Sequence, residues 1–464
     1  MTDRLDTILA HIDADLDAAR GRLFDLLRIP SISAQPAHAG DCRAAAEWLR
    51  GQLAGIGFEA AVKETAGHPA VVAHHPGPGG AVPHVLFYGH YDVQPADPLE
   101  LWTSAPFEPV LVDGPHGPRI RARGAVDDKG QTMMWIEALR AWHAIAGAPP
   151  VAVTVLIEGE EEVGSPSLDA FLAANKAELK ADVAVISDTG MWDIDTPAIT
   201  TRLRGLVYAQ IDVKAASRDL HSGLFGGSAL NPINLLTHIL GALRTADGRV
   251  TLPGFYDGVA ELPPALAAQW AGLGFEEAAF LRGVGLSVPA GEPRRAPLER
   301  LWARPTCDIN GIWGGYMGHG SKTVIPAEAH AKLSFRLVPG QDPARIAQGL
   351  RDFVAAHLPA DAHADVTIFG ESPGIEVALD SPAMTAAREI LLAEFGREAV
   401  LSGSGGSIPV VESMRRLLGL DSLLMGFGLD DDQVHSPDEK FELRCFHRGT
   451  RSHARLLGRM AARG

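Results

Sequence analysis

The chain is 464 residues long, 46% hydrophobic and 21% charged, an ordinary globular composition whose length predicts two or three domains rather than one core. A formal net charge of −16 argues against a general binder of nucleic acid or of anionic membranes, which would need clustered Lys and Arg. Three scattered cysteines, Cys42, Cys307 and Cys445, encode neither a disulfide framework nor a thiolate metal cluster, and no apolar stretch approaches the roughly 20 residues that span a bilayer, so a reducing, cytoplasmic setting is expected.

Apolar residues at helical spacing predict a helix over 3–28, ended where Pro30 biases Ile29 away from helical geometry. A second helix is expected over 41–56, then strands near 58–63, 70–74 and 82–88, the last a short apolar run suited to a buried strand. Runs 151–157 and 183–186 read the same way, and a β-like run covers 109–112. Helical patterns at 132–145 and 168–179 separate them. Strands alternating with helices predict an α/β layer built on a mixed, largely parallel sheet flanked by helices.

From about residue 205 the texture changes. A strand exposed on one face (206–214), a helix (232–243), a Gly/Pro/Ala-rich stretch (248–304), a second two-sided strand (329–338) and a helix (343–358) read as an inserted α+β domain. The helix 382–395 and the segments after it return to the first domain. The expected division is therefore 1–205 with 377–464, and 206–376.

Charge gathers at the expected strand ends. Gly89-His90-Tyr91-Asp92 ends one apolar run, and the period of two puts His90 and Asp92 on one side, where Asp92 can orient the imidazole. Asp127 and Asp128 sit between glycines in a loop that opens a helix, a setting that holds carboxylates at modest cost. Glu158 to Glu162 follow the next strand, Asp188 follows another, and His435 comes late, after Asp430, Asp431 and Asp432. In open α/β sheets ligands gather at the carboxyl ends of strands.

Taken singly, each piece has a plainer reading. A lone histidine is most often a surface or hydrogen-bonded residue, and acidic runs such as Glu160–Glu162 or Asp430–Asp432 are usually solvated. Gly403-Ser404-Gly405-Gly406-Ser407 lacks the lysine of a phosphate loop. Together, two imidazoles and three or four carboxylates at one sheet edge are costly unless cations neutralise them, and mixed nitrogen and oxygen donors suit zinc, manganese or cobalt. One carboxylate shared by two metals would yield a hydroxide nucleophile at neutral pH.

The ordered text GHYDVQP (89–95), RGAVDDKG (123–130), EGEEEVGS (158–165), Ser187-Asp188, RDLHSGLFGG (218–227), SKTVIP (321–326), FRLVPG (335–340), GSGGSIPV (403–410) and VHSPDE (434–439) resembles the dinuclear zinc metallopeptidases. That family includes carnosine-type dipeptidases, carboxypeptidase G, acetylornithine deacetylase and succinyl-diaminopimelate desuccinylase, and the HSG-LFGG and GGSIP text is most similar to the dipeptidase branch. The resemblance implies a catalytic di-metal domain with an inserted lid and dimerisation domain. It implies that His90 and Asp188 hold one divalent metal, most simply zinc, that Glu162 and His435 hold the other, and that Asp127 bridges them across a cis peptide bond to Asp128.

It further implies that Glu161 is the general base acting on a water between the metals, with Asp92 behind His90. His221 would reach the oxyanion from the partner subunit of a homodimer, and Arg336, Ser407 and Thr323 would grip the substrate's terminal carboxylate. The expected activity is hydrolysis of dipeptides or short peptides. The alternatives are an N-acyl amino acid deacylase or acylaminoacyl carboxypeptidase of the same fold, or a catalytically silent binding protein. Neither nucleic acid nor membrane is an expected partner.

Overall fold

The computed structural model describes residues 2–406 and 408–462. Two compact units divide the chain: Met1–Thr201 with Val377–Ser402 and Pro409–Gly464, and Arg202–Glu376 with Gly403–Ile408.

The sheet of the first unit runs, neighbour by neighbour, Glu59–Lys63, Ala70–His75, Ala152–Glu158, His84–His90, Val183–Ile186, Ser422–Leu424 and Ala198–Leu203. The four central strands, from Ala152–Glu158 to Ser422–Leu424, pair in parallel, while Glu59–Lys63 and Ala70–His75 pair antiparallel, as does Ala198–Leu203 on Ser422–Leu424. The sheet is thus mixed and only partly parallel. Strands 59–63 and 70–75 are joined by a short link, which allows antiparallel pairing alone. The central strands are apolar on both faces, and every residue of Val183–Ile186 is buried.

The helix Lys129–Ala146 starts directly behind the Asp127 loop and is buried without a break from Lys129 to Leu139. Trp135 stacks on Phe87 of the sheet at 5.2 Å between ring centroids. The C-terminal helix Leu443–Ala461 packs against it at Gly449, where a Cβ would stand 2.0 Å from Met134 Sδ, so only glycine allows the approach. A three-stranded sheet of Val110–Gly114, Gly117–Arg121 and Lys440–Glu442 brings the chain near residue 440 back to the Asp127 loop.

Two expected helices are shorter than the pattern indicates. The 3–28 stretch is two helices, Thr2–Ala14 and Leu16–Leu27, because Asp15 leaves helical geometry. Its carboxylate accepts Arg22 Nη2 at 2.5 Å, and the same guanidinium forks onto buried Glu137. The 168–179 helix ends at Ala174, where the Asn175 side-chain amide donates to Phe171 O at 2.8 Å.

The second unit is a four-stranded antiparallel sheet ordered Thr306–Gly314, Glu328–Leu337, Gly205–Lys214 and His363–Ser372. Alternate residues Val207, Ala209, Ile211 and Val213 form one core with Leu236, Ile239, Ile346 and Leu350 of the helices Pro232–Ala242 and Pro343–Ala356. Asn231 and Asp342 cap these helices, each followed by proline at the first helical position. The unit also takes in 403–408, which the sequence pattern gives to the first domain. Arg204 draws that segment over, its Nε donating to Gly405 O at 3.0 Å and its backbone N–H to Gly406 O at 3.2 Å. No helix among the described residues is long and apolar enough to cross a membrane.

A candidate dinuclear metal centre

At the carboxyl end of His84–His90, the His90 ring is fully buried. Its Nδ1 lies 3.1 Å from Asp92 O and 3.3 Å from Asp92 Oδ1, so Nδ1 carries a proton and donates, which turns Nε2 toward the acidic cluster. Nε2 makes no hydrogen bond, although Asp127 Oδ1 stands at 3.2 Å and Asp188 Oδ2 at 3.8 Å. Asp92 does a second task as well: its oxygens accept the amides of Glu161 at 3.2 Å and Glu162 at 3.1 Å. The imidazole and the acidic turn are thereby fixed to one carboxylate.

Asp127 turns its other oxygen, Oδ2, toward His435 Nε2 at 2.8 Å, and His435 Nε2 lies 3.2 Å from Glu162 Oε2. Two sets result, His90–Asp127–Asp188 and Asp127–Glu162–His435. Each offers ligand atoms within 4.8 Å of one another, and Asp127 is common to both. The peptide bond between Asp127 and Asp128 is cis. Asp128 points the other way, accepting Thr132 Oγ1 at 2.9 Å and the His90 amide at 3.2 Å. A Cβ on Gly89 would fall 2.2 Å from Thr132 Oγ1, which is why glycine precedes His90.

The electrostatics are those of a crowded anion cluster. Burial pushes Asp188 well above the usual carboxylate range, with Asp127 adding to it. Burial likewise raises Glu161; His90 opposes, and Glu162 and Asp127 reinforce. Hydrogen bonds donated to Asp127 and Glu162 lift His435 to about 10. Burial opposes the charged form of His90, yet Asp127 and Asp92 raise it well above the ordinary value. Asp127 is depressed: burial would raise it, but His435 and His90 outweigh that. Protons thus do here what cations could do better. His90 Nε2, which makes no hydrogen bond although it faces two carboxylates, is placed to ligate a divalent cation in exchange for its proton.

Several neighbours carry no local signal in the sequence. Gln94 Nε2 donates to Glu162 Oε2 at 2.8 Å, and Glu439 holds the Asp127 loop from behind. Asp432, in a run expected to face solvent, is fully buried, with Lys440 Nζ at 2.6 Å and the Leu429 amide at 2.6 Å on its carboxylate. Local charge density cannot disclose this, because the lysine that neutralises Asp432 arrives on the following strand.

The remaining predicted residues belong to the second unit. The ribbon of Leu220–His221 with Val324–Ile325 sets His221 beside Thr323, whose carbonyl accepts the Ser222 amide at 3.1 Å. His221 is exposed, and its Nδ1 accepts the Gly223 amide at 3.0 Å. Arg336 lies half-buried on Glu328–Leu337 with no ion pair among the described residues. Burial and then the charge of Arg336 lower neighbouring Arg204 to about 10. Ser407 lies outside the described residues.

The chain is similar to proteins named as dipeptidases. The chain is 30% identical over 459 residues to the Cys-Gly metallodipeptidase dug1 of Schizosaccharomyces pombe, covering 96% of each protein. It is 31% identical over 383 residues to the human Beta-Ala-His dipeptidase, covering 81% of this chain and 75% of that one. The structure of the di-peptidase Dug1p from Saccharomyces cerevisiae superposes with a TM-score of 0.83 at 27% identity, over 100% of this chain and 99% of that one. The pattern of peptidase family M20/M25/M40 matches residues 86–459, nearly the whole span from the His90 strand to the C-terminal helix, and the chain belongs to that family.

Proposed function

We propose that the chain is a metal-dependent dipeptidase with a dinuclear centre, and the observation that carries this is one carboxylate, Asp127, turning an oxygen to each of two ligand sets. His90, Asp127 and Asp188 would hold one divalent cation, and Asp127, Glu162 and His435 the other. The mixed nitrogen and oxygen donors favour zinc, with manganese or cobalt chemically admissible. Such a pair of cations polarises a carbonyl and lowers the pKa of water.

The chain's own groups do the rest. Glu161, tied by its backbone to Asp92 and raised by burial, accepts the proton of the attacking water and returns it to the leaving amine. His221, with Nδ1 engaged as an acceptor, carries its proton on Nε2 and would offer it to the oxyanion of a neighbouring active site in a homodimer. Arg336, Thr323 and Ser407 would receive the substrate's carboxylate, for which a guanidinium fork is suited. Three free, buried cysteines support a reducing, cytoplasmic setting.

Cys-Gly and β-Ala-His, the dipeptides in its relatives' names, are the first substrates to assay, each beside its N-acetyl counterpart. Turnover of the free dipeptides with loss on acetylation is expected. Preference for the acetylated forms would instead identify a deacylase, and no turnover of either class by metal-loaded protein would point to a silent binding protein.

A further inference from the structure

Glu439 follows His435 by four positions and has no exposed surface. Its carboxylate is directed entirely at the loop that carries Asp127. Oε2 accepts Arg123 Nη1 at 2.7 Å and the Gly124 amide at 2.9 Å; Oε1 accepts the amides of Val126 at 3.0 Å and Asp127 at 3.2 Å. The Glu439 carbonyl also takes the Ala122 amide at 3.1 Å. Three amides of one short loop converging on a single anion form a nest, and the path of the backbone from Gly124 to Asp127 follows from it. A buried carboxylate left alone would be costly, so the loop cannot leave this arrangement cheaply.

The same residue stands at the junction with the other arm. The segment carrying His435 is closed by the Lys440 amide on Asp432 O at 3.0 Å and by Lys440 Nζ on Asp432 Oδ1 at 2.6 Å. Glu439 is the last residue of that segment before the strand Lys440–Glu442. One side chain therefore joins the loop of the shared carboxylate to the loop of an imidazole in the second ligand set.

We propose that Glu439 is the positioning residue of the dinuclear centre: by fixing the amides of Gly124, Val126 and Asp127, it sets where the two oxygens of Asp127 stand. Since Asp127 belongs to both ligand sets, losing this anchor weakens both cations together. A residue that served one arm alone would weaken one. The inference rests on the dinuclear reading, and the test separates the two.

The experiment is a competition titration of metal-stripped protein with Zn²⁺ against a chromophoric chelator, well below the unfolding temperature. Wild type is expected to bind two equivalents; fewer would refute the dinuclear reading itself. In Glu439→Gln, the amide nitrogen faces two N–H donors where an acceptor stood, and both zinc constants are expected to weaken by about 10–100-fold. Glu442→Gln is the control, since Glu442 is equally buried three residues on but bonds none of the loop amides. It should keep both constants. Unchanged constants in Glu439→Gln, a change in one alone, or an equal loss in Glu442→Gln would overturn the assignment. Should Glu439→Gln not fold, Glu439→Asp, which keeps the charge and shortens the reach, is read by the same outcomes.

Discussion

In the first unit Asp127, Asp188, Glu161 and Glu162 crowd around two imidazoles, and no Lys or Arg among the described residues forms an ion pair with any of them. In the second, Arg204 and Arg336 stand near enough for one to depress the other, and no carboxylate among the described residues pairs with either. Both regions hold charge that the unit itself does not neutralise, but they differ in kind. Carboxylates and imidazoles can take or shed protons while they wait for a cation, whereas a guanidinium keeps its charge over any ordinary pH range. Binding at the first region should thus be linked to protons and binding at the second should not.

The largest effect concerns the one acid of the cluster that belongs to neither ligand set. Glu161→Gln keeps the shape and removes the proton acceptor, so kcat is expected to fall on the order of 10³–10⁴-fold while bound metal, measured by elemental analysis, stays at wild-type stoichiometry. A variant that turned over normally would show that the carboxylate is only structural.

Next comes the cationic region. Arg336→Met removes a charged donor worth about 2–3 kcal/mol, so kcat/KM for a dipeptide with a free carboxylate should fall by roughly 30–160-fold. The C-terminal amide of the same dipeptide should be hydrolysed equally by both proteins. If both substrates suffer alike, the arginine acts on the fold and the contrast between the regions loses its second half.

The proton linkage can be tested directly. Hydrogen bonds donated to Asp127 and Glu162 hold His435 at about 10 in the metal-free cluster, and His90 is also raised despite its burial. Cation entry must expel those protons, so affinity should fall as pH falls, by up to about tenfold per pH unit for each proton displaced. Between pH 8 and 6 the KM term contributed by the arginines should stay flat. Calorimetry in buffers of different ionisation enthalpy would report the released protons, and a pH-independent metal affinity would contradict the raised histidines.

Much of this was legible in the text because strand ends and motifs are local. The apolar run before His90 and the period of two set it beside Asp92, and the glycine-flanked acids before an apolar helical pattern marked the Asp127 loop. What escaped the reading depends on distant partners. Glu439 and Val126 are 313 positions apart, and Arg204 reaches Gly405 across 201, so neither the anchor of the bridging loop nor the transfer of 403–408 to the second unit has a local signature. Asp15 breaks a helix that periodicity would continue, its carboxylate turned to an arginine that also serves a buried glutamate. Asp432 looked solvated because only its charge was visible. The antiparallel pairing of 59–63 with 70–75 follows from their short link rather than from their apolarity.

The smallest expected effect extends the contrast to stability. His453 is buried among Phe87 and Phe427, its Nε2 on Ser187 Oγ at 3.0 Å, and burial pushes it down to about 3. In the second unit His330 is only part-buried and has a carboxylate partner, Asp212 Oδ1 at 2.5 Å from its Nδ1. Because the unfolded chain binds a proton near 6.5 and the folded one does not until about 3, stability is full above 6.5 and falls as pH drops through that window. One pH unit below 6.5 should cost the first unit about 1.4 kcal/mol from this group alone, roughly tenfold in its folded-to-unfolded ratio. Acid titration of metal-free protein, followed by hydrogen exchange, should therefore show the helix Leu443–Ala461 losing protection before the sheet of the second unit. His453→Gln should shift that loss to lower pH, and an unaltered profile would mean that the metal-site acids, not this imidazole, set the acid limit.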